Sequence, residues 1–276
     1  MRLSPSGPWW PVLLAVTLGC GRTSETPAQQ GAAGGQTTLT LAGSTSVQPF
    51  AEKWAEAYHA KHPNIDIHVQ GGGSTAGVKA AETGAAQIGT CSRELKPEEA
   101  AVLHQTVVAR DGETVIVHPS NPVNDLKVEQ VRGIYASEIK NWKEVGGPDK
   151  KINVVTREQG SGARGAFEEL IMKGKPIASS ALVQDSQGAV RQMVSTDPAA
   201  VGYVSHGIVD ASVKGLKLDS VEPNEETIAS GKYPAVRPFL FLTKGEPTGV
   251  AKELIDWVLG PEGQAIARKE GLFPPK

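Results

Sequence analysis

Apolar and polar positions along this chain follow two rhythms that take turns. Thr38-Leu39-Thr40-Leu41-Ala42 alternates with period two and predicts a strand. It runs into Gly43-Ser44-Thr45-Ser46. Beyond that, Phe50, Trp54 and Tyr58 recur at i, i+4 and i+8 and predict one face of a helix, closed by His62-Pro63-Asn64. Ile65-Asp66-Ile67-His68-Val69 alternates again, and Gly71-Gly72-Gly73-Ser74 opens a second helix that includes Val78-Lys79-Ala80-Ala81. Strand, polar loop and helix in repetition predict an α/β sheet with parallel strands.

The same order recurs downstream. Thr114-Val115-Ile116-Val117-His118 predicts a strand ending at Pro119, followed by a helical segment that includes Val131 and Ile134-Tyr135. Ile152-Asn153-Val154-Val155-Thr156 predicts the strand that feeds Gly160-Ser161-Gly162 and a helix carrying Phe167, Leu170 and Ile171. Val201-Gly202-Tyr203-Val204 is a further strand, and Phe239-Leu240-Phe241-Leu242 is apolar throughout, as a buried strand is. The last helix is expected from Val250 to Leu259, ahead of Gly260-Pro261. There is no short-period repeat.

The first twenty residues stand apart. Arg2 precedes an apolar run from Trp9 to Leu18, well short of the roughly 20 residues that span a bilayer, so it reads as a signal peptide. The run ends in Leu18-Gly19-Cys20, which resembles a bacterial lipobox, with Thr17 where Leu is usual. That resemblance implies that 1–20 is a lipoprotein signal peptide and that Cys20 carries a lipid. The alternative is ordinary cleavage nearby, with Cys20 a free thiol. Residues 21–36 are rich in Gly, Ala, Gln and Thr and are expected to form a flexible tether. Cys91 is the other of the two cysteines; a lipidated Cys20 has no thiol to offer it, so no disulfide framework is expected.

Composition narrows the class. The 276 residues suffice for one large domain or two ordinary ones, and 39% hydrophobic with 21% charged content describes an ordinary globule. With a net charge of -2 and no basic stripe interleaved with aromatics, nucleic acid is not an expected partner.

Candidate chemistry lies in three loops of one design, each after a strand and before a helix: Gly43-Ser44-Thr45-Ser46, Gly73-Ser74-Thr75-Ala76-Gly77 and Gly160-Ser161-Gly162-Ala163. A helix N-terminus offers unpaired N–H groups and the positive end of the macrodipole; glycine admits an anion closely, and hydroxyls add donors. Each loop taken singly is equally an ordinary helix cap. Arg157, at the end of the strand feeding the third loop, either grips an anion held there or forms a surface pair with Glu158. Enzyme templates fail. Gly72 to Lys79 lacks the Gly-Lys-Ser/Thr of a P-loop, and the glycines at 71 and 73 give only a loose dinucleotide spacing. Ser161 is not in a Gly-x-Ser-x-Gly elbow. His59 and His62 share a helix without a third ligand at metal spacing, so no metal site is expected.

Ala42-Gly43-Ser44-Thr45-Ser46-Val47, Gly71-Gly72-Gly73-Ser74, Ser92-Arg93-Glu94-Leu95 and Arg157-Glu158-Gln159-Gly160-Ser161-Gly162 resemble the signature segments of ABC-importer phosphate-binding proteins. Ile139-Lys140-Asn141-Trp142, Val201-Gly202-Tyr203-Val204 and Pro261-Glu262-Gly263-Gln264 resemble that family too, in the right order over nearly the whole mature chain. The resemblance implies a two-lobed periplasmic-binding-protein fold of type II kind, with a ligand cleft and two hinge crossings near Glu113–His118 and Pro234–Pro238. Lobe 1 is expected from 37–115 with 236–276, and lobe 2 from 116–235. The implied function is capture of phosphate outside the cytoplasm and delivery to permease subunits, by a monomer anchored to the membrane at Cys20, without catalysis or cofactor. Carried over by position, the ligand set is Thr45, Ser46, Ser74, Ser92, Arg157, Ser161, Gly162 and Ala163.

Three positions depart from the family pattern. Ser92 stands where Asp is frequent, Gln159 where Asp commonly precedes Gly-Ser-Gly, and Ala163 where Thr commonly follows it. The first touches selectivity against sulfate, the second removes an orienting partner for Arg157, and the third loses a hydroxyl. Rival readings are a protein of the same fold for sulfate, molybdate or tungstate, and a secreted hydrolase using Ser161 or Ser46.

Overall fold

The computed structural model describes residues 36–275. The first strand and helix are β1 (Thr37–Gly43) and α1 (Gln48–His59), and the apolar face Phe50, Trp54 and Tyr58 is buried as its spacing predicts. Then follow β2 (Ile65–Gly71), α2 (Ser74–Thr83), β3 (Ile88–Cys91) and the short α3 (Pro97–Ala100). The long β4 (His104–Val117) leads to β5 (Asp125–Leu126) and α4 (Val128–Tyr135). Next come β6 (Asn153–Arg157), α5 (Gly162–Phe167), β7 (Leu182–Gln184), α6 (Gln187–Thr196) and β8 (Ala200–Ser205). The chain ends with β9 (Lys214–Gly215), β10 (Lys217–Leu218), α7 (Glu225–Ala229), β11 (Val236–Thr243), α8 (Gly249–Leu259) and α9 (Pro261–Lys269).

The main sheet runs β2-β1-β3-β11-β4-β8-β6-β7. Its two ends are parallel: β1 pairs with β2 and β3, and β6 pairs with β7 and β8. The middle is antiparallel, because β11 and β4 run against each other and against β3 and β8. β4 links the two halves. It pairs with β11 as far as Gly112 and with β8 from Glu113 onward.

Each half has its own core. Leu39, Trp54, Ile88 and Phe239 belong to one, joined by Leu254 and Val258 of α8. Val131, Trp142, Phe167, Val201 and Tyr203 belong to the other. Apart from Phe273, which joins the second core, the cores draw on different stretches of sequence, and β4 changes partner between them.

Two sequence expectations are corrected here. β4 begins at His104, ten residues before Thr114, because Asp111, Gly112 and Glu113 stay in the strand rather than interrupting it. Arg237 on β11 is the cross-strand partner of Asp111, and its charge makes an extended, buried path for these acids tenable. The second correction is that α8 is not the last helix. Gly260-Pro261 does not merely stop α8; Pro261 starts α9, where its missing N–H costs nothing and its fixed φ suits the first turn. α9 is tied to the first core: Gly263 accepts from Trp54 Nε1 at 2.9 Å, and Gln264 Nε2 donates to Val108 O at 3.0 Å.

No helix among the described residues is long and apolar enough to cross a membrane. The signal peptide, Cys20 and all but the last residue of the tether lie outside the described residues.

Candidate functional site

Parallel strands deliver their C-terminal ends to one place, and ligands of open α/β sheets gather there. β1, β2 and β3 release the loops holding Ser44–Ser46, Gly72–Ser74 and Ser92, while β6 ends in Arg157. The first three come from one half of the molecule and the last from the other. Gly73 has φ 91, and a Cβ there would crowd Gly160 O. That backbone shape carries Thr75 N to within 3.1 Å of Gly160 O, a hydrogen bond between the two halves.

On the first side, serine hydroxyls form a chain. Ser44 Oγ donates to Ser92 Oγ at 2.9 Å, Ser92 N donates to Ser74 Oγ at 3.0 Å, and the Ser74 and Ser92 hydroxyls lie 3.5 Å apart. All three side chains are buried, as is Ser46. Ser44 Oγ also accepts from Ser46 N at 3.1 Å, in the turn that precedes α1. The N-cap of α1 is Val47, with no side-chain cap, so the ordinary capping reading of this loop does not hold. Ser44 is absent from the sequence-derived set, although the Ser-Thr-Ser run contains the signal.

On the second side, Arg157 is completely buried. Its Nε and Nη2 donate to the two carboxylate oxygens of Glu158, each at 2.9 Å. Nη2 also reaches across to Thr45 Oγ1 at 2.8 Å and to Asp185 O at 3.0 Å. Nη1 is buried and has no partner in the protein. The pairing with Glu158 is as the second sequence reading has it, but Arg157 is no surface group. Glu158 supplies the orientation that Gln159, which is exposed, does not. Tyr203 anchors the strand end, bonding Thr156 Oγ1 at 2.8 Å and accepting from Arg157 N at 3.3 Å.

Ser161 caps α5 by accepting from Arg164 N at 3.3 Å. The N–H groups of Gly162 and Ala163, in the first turn, have no intrahelical acceptor. Gly162 is pressed against the serine chain: a Cβ there would overlap both Ser74 Oγ and Ser92 Oγ. The eight sequence-derived residues therefore come from loops that meet at one seam. Among the described residues no histidine bonds to Ser46 or Ser161.

A further contact across the seam went unread in the sequence. Arg93 is clamped by Glu99 through bonds of 2.7 and 2.9 Å, which hold the Glu99 carboxyl below the usual carboxylate range. Its Cδ lies where a Cβ on Gly165 would come within 2.8 Å. Cys91 is buried, with Sγ donating to Arg93 O at 3.3 Å.

Known proteins resemble this chain in sequence and fold. A family model described as a PBP superfamily domain matches residues 28–262. The phosphate-binding protein PstS of Bacillus subtilis (strain 168) is 34% identical over 244 residues, 86% of this chain and 80% of the relative. A Clostridium perfringens protein solved with bound phosphate, assigned as a phosphate ABC transporter substrate-binding protein, is 41% identical with TM-score 0.84, over 87% of this chain and all of that one. An ABC-type phosphate transport receptor from Vibrio cholerae is 38% identical with TM-score 0.74, over 86% of this chain and 100% of its own. The two-lobed fold expected from the sequence is the fold of these neighbours. The chain belongs to the PBP superfamily and, within it, to the family of the PstS phosphate-binding proteins.

Proposed function

We propose that this chain is the extracytoplasmic phosphate-binding component of an ABC importer, with Thr45, Ser46, Ser74, Ser92, Arg157, Ser161, Gly162 and Ala163 lining its ligand cleft. The observation that carries this reading is Arg157 Nη1: a fully buried, permanently charged donor without a protein partner, at the junction of three loops rich in hydroxyls and helix N-termini. An oxyanion satisfies that nitrogen. Around it the donors are neutral, so an overall charge of -2 is no obstacle to holding an anion.

The lobes are 37–115 with 236–276, and 116–235, and they close about β4 and the lead-in to β11. Closure excludes water, and each donor–oxygen bond strengthens in the lower dielectric. Ser92 takes the place of a carboxylate as acceptor for the proton of hydrogen phosphate; a hydroxyl both accepts and donates, so it repels sulfate less than Asp does. The protein works as a monomer, held to the membrane by lipid on Cys20 with 21–36 as tether, and delivers its ligand to permease subunits.

Calorimetric titration with phosphate, with and without excess sulfate, tests the reading. One-to-one binding that survives sulfate is the expected result. Displacement by sulfate would move the assignment to another oxyanion on the same cleft.

A further inference from the structure

Glu113 is a buried carboxyl outside the proposed ligand set. It stands at the residue where β4 leaves β11, opposite Ser205 of β8, and has no exposure to solvent. Two residues earlier on the same strand face lies Asp111, equally buried. Arg237 donates through Nε to Asp111 Oδ2 at 2.9 Å and sets Nη2 2.9 Å from the same oxygen. Asp111 also accepts from Ser205 Oγ at 2.6 Å and from His206 N at 3.2 Å. Glu113 receives much less. Arg237 Nη1 is 2.9 Å from Oε1 but is not aligned with it, and neither Glu113 oxygen has a hydrogen-bond partner.

One guanidinium therefore serves two buried carboxyls. The other titratable groups around Glu113 are Arg157 of β6, Tyr135 of α4, Tyr203 of β8 and Tyr233 ahead of β11. Burial keeps the tyrosine hydroxyls protonated, and Arg157, which ends β6 beside β8 where Glu113 pairs with Ser205, is the further cation near Glu113. Arg157 is also the charge proposed to hold the ligand. An anion in the cleft and an ionised Glu113 thus draw on the same guanidinium.

We propose that Glu113 takes up a proton as phosphate enters the cleft, so that capture of the anion is linked to protonation of a carboxyl at the strand crossing; this rests on the phosphate reading above. Burial, with Arg237 and Arg157 opposing it and Asp111 adding to it, raises the Glu113 carboxyl to about 8. It is therefore poised near neutrality before any ligand arrives. A dianion against Arg157 cancels part of the attraction that favours the ionised carboxyl, and the proton is held more tightly. The sign follows from linkage. A group whose pKa is higher in the bound state takes up a proton on binding, so affinity is full below the free-state value. It falls as pH rises through that value, by at most about tenfold per pH unit. His206, beside Asp111, is held below its usual range by burial and titrates on the acid side of this window.

The test is titration of the intact chain with inorganic phosphate at about pH 8 in two buffers of different ionisation heat, repeated up to about pH 9, where phosphate is chiefly the dianion. Uptake of a measurable fraction of one proton, with affinity falling over that window, is the expected result. Glu113→Gln is expected to bind with no uptake and with flat affinity, and Glu113→Asp to restore the slope. Phosphate binding by the wild type without proton uptake, or uptake that persists in Glu113→Gln, overturns the inference alone. A wild-type chain that does not bind phosphate overturns the phosphate reading and this inference with it. Should Glu113→Gln fail to fold, the wild-type comparison between buffers decides.

Discussion

Arg157 and Arg237 are both all but inaccessible to solvent, yet one faces a single partly exposed carboxylate and the other two fully buried carboxyls. Arg157 meets a single carboxylate, Glu158, whose side chain keeps 31% of its exposure; its remaining partners are neutral oxygens, and Nη1 has none. Arg237 lies between Asp111 and Glu113, both fully buried, with its guanidinium carbon 5.5 Å from the centre of the Phe239 ring. A buried cation left short of counter-charge is costly to keep unless something supplies the missing charge, and on the function proposed for Arg157 that is the work of a ligand. The crossing arginine has no such demand. It holds together two strands that run between the halves. Position in the fold, rather than residue type, separates the arginine proposed to bind from the structural one.

Arg237→Ala is the severest way to break the comparison. It strands two buried carboxyls, and removing one partner of a buried ion pair costs about 3–5 kcal/mol. Urea unfolding of the variant against wild type measures it. A loss well below that range would mean that the acids simply take up protons and that Arg237 contributes little. Arg157→Ala is expected to reverse the pattern: affinity for phosphate falls by about 2–5 kcal/mol, the scale for truncating one side of a buried charge contact, while the fold survives. Titration and unfolding of the same preparation read both numbers. If Arg157→Ala unfolds like Arg237→Ala and still binds, the two roles have been assigned the wrong way round.

Much of this difference was written in the sequence, but unevenly. The strand–loop–helix grammar showed the parallel ends of the sheet, because period-two and period-3.6 patterns depend on local burial alone. Phe50, Trp54 and Tyr58 are buried on one face of α1 as their spacing requires. The antiparallel middle was harder to see. Arg110-Asp111-Gly112-Glu113 carries no alternation, and its place inside β4 depends on Arg237, more than a hundred residues away. The three Gly/Ser loops were legible because hydroxyl and glycine chemistry is local. Glu158 as the orienting partner of Arg157, and Ser44 as the head of the hydroxyl chain, needed the fold. The one is adjacent in sequence yet readable as a surface acid, and the other bonds to a serine 48 positions on. Gly260-Pro261 shows a local signal with two meanings, since the same pair both ends α8 and begins α9.

The neutral side of the comparison has its own, smaller test at Gly162. Its α-carbon faces Ser74 Oγ and Ser92 Oγ so closely that a methyl group would overlap both. Those serines and Gly162 lie on opposite sides of the seam, so under the proposed closing motion the overlap would arise only when the cleft shuts. Gly162→Ala is therefore expected to leave unfolding by urea nearly unchanged and to weaken phosphate binding by about 1–3 kcal/mol, the usual cost of overpacking. The loss should fall mainly on the dissociation rate, since a cleft that cannot close fully releases its ligand sooner. A variant that loses stability and keeps its dissociation rate would mean that the seam is permanent packing and not a closing surface. Arg157 would then be holding the two halves together, much as Arg237 holds the crossing strands, and the contrast between the two arginines would shrink to one of neighbouring charge.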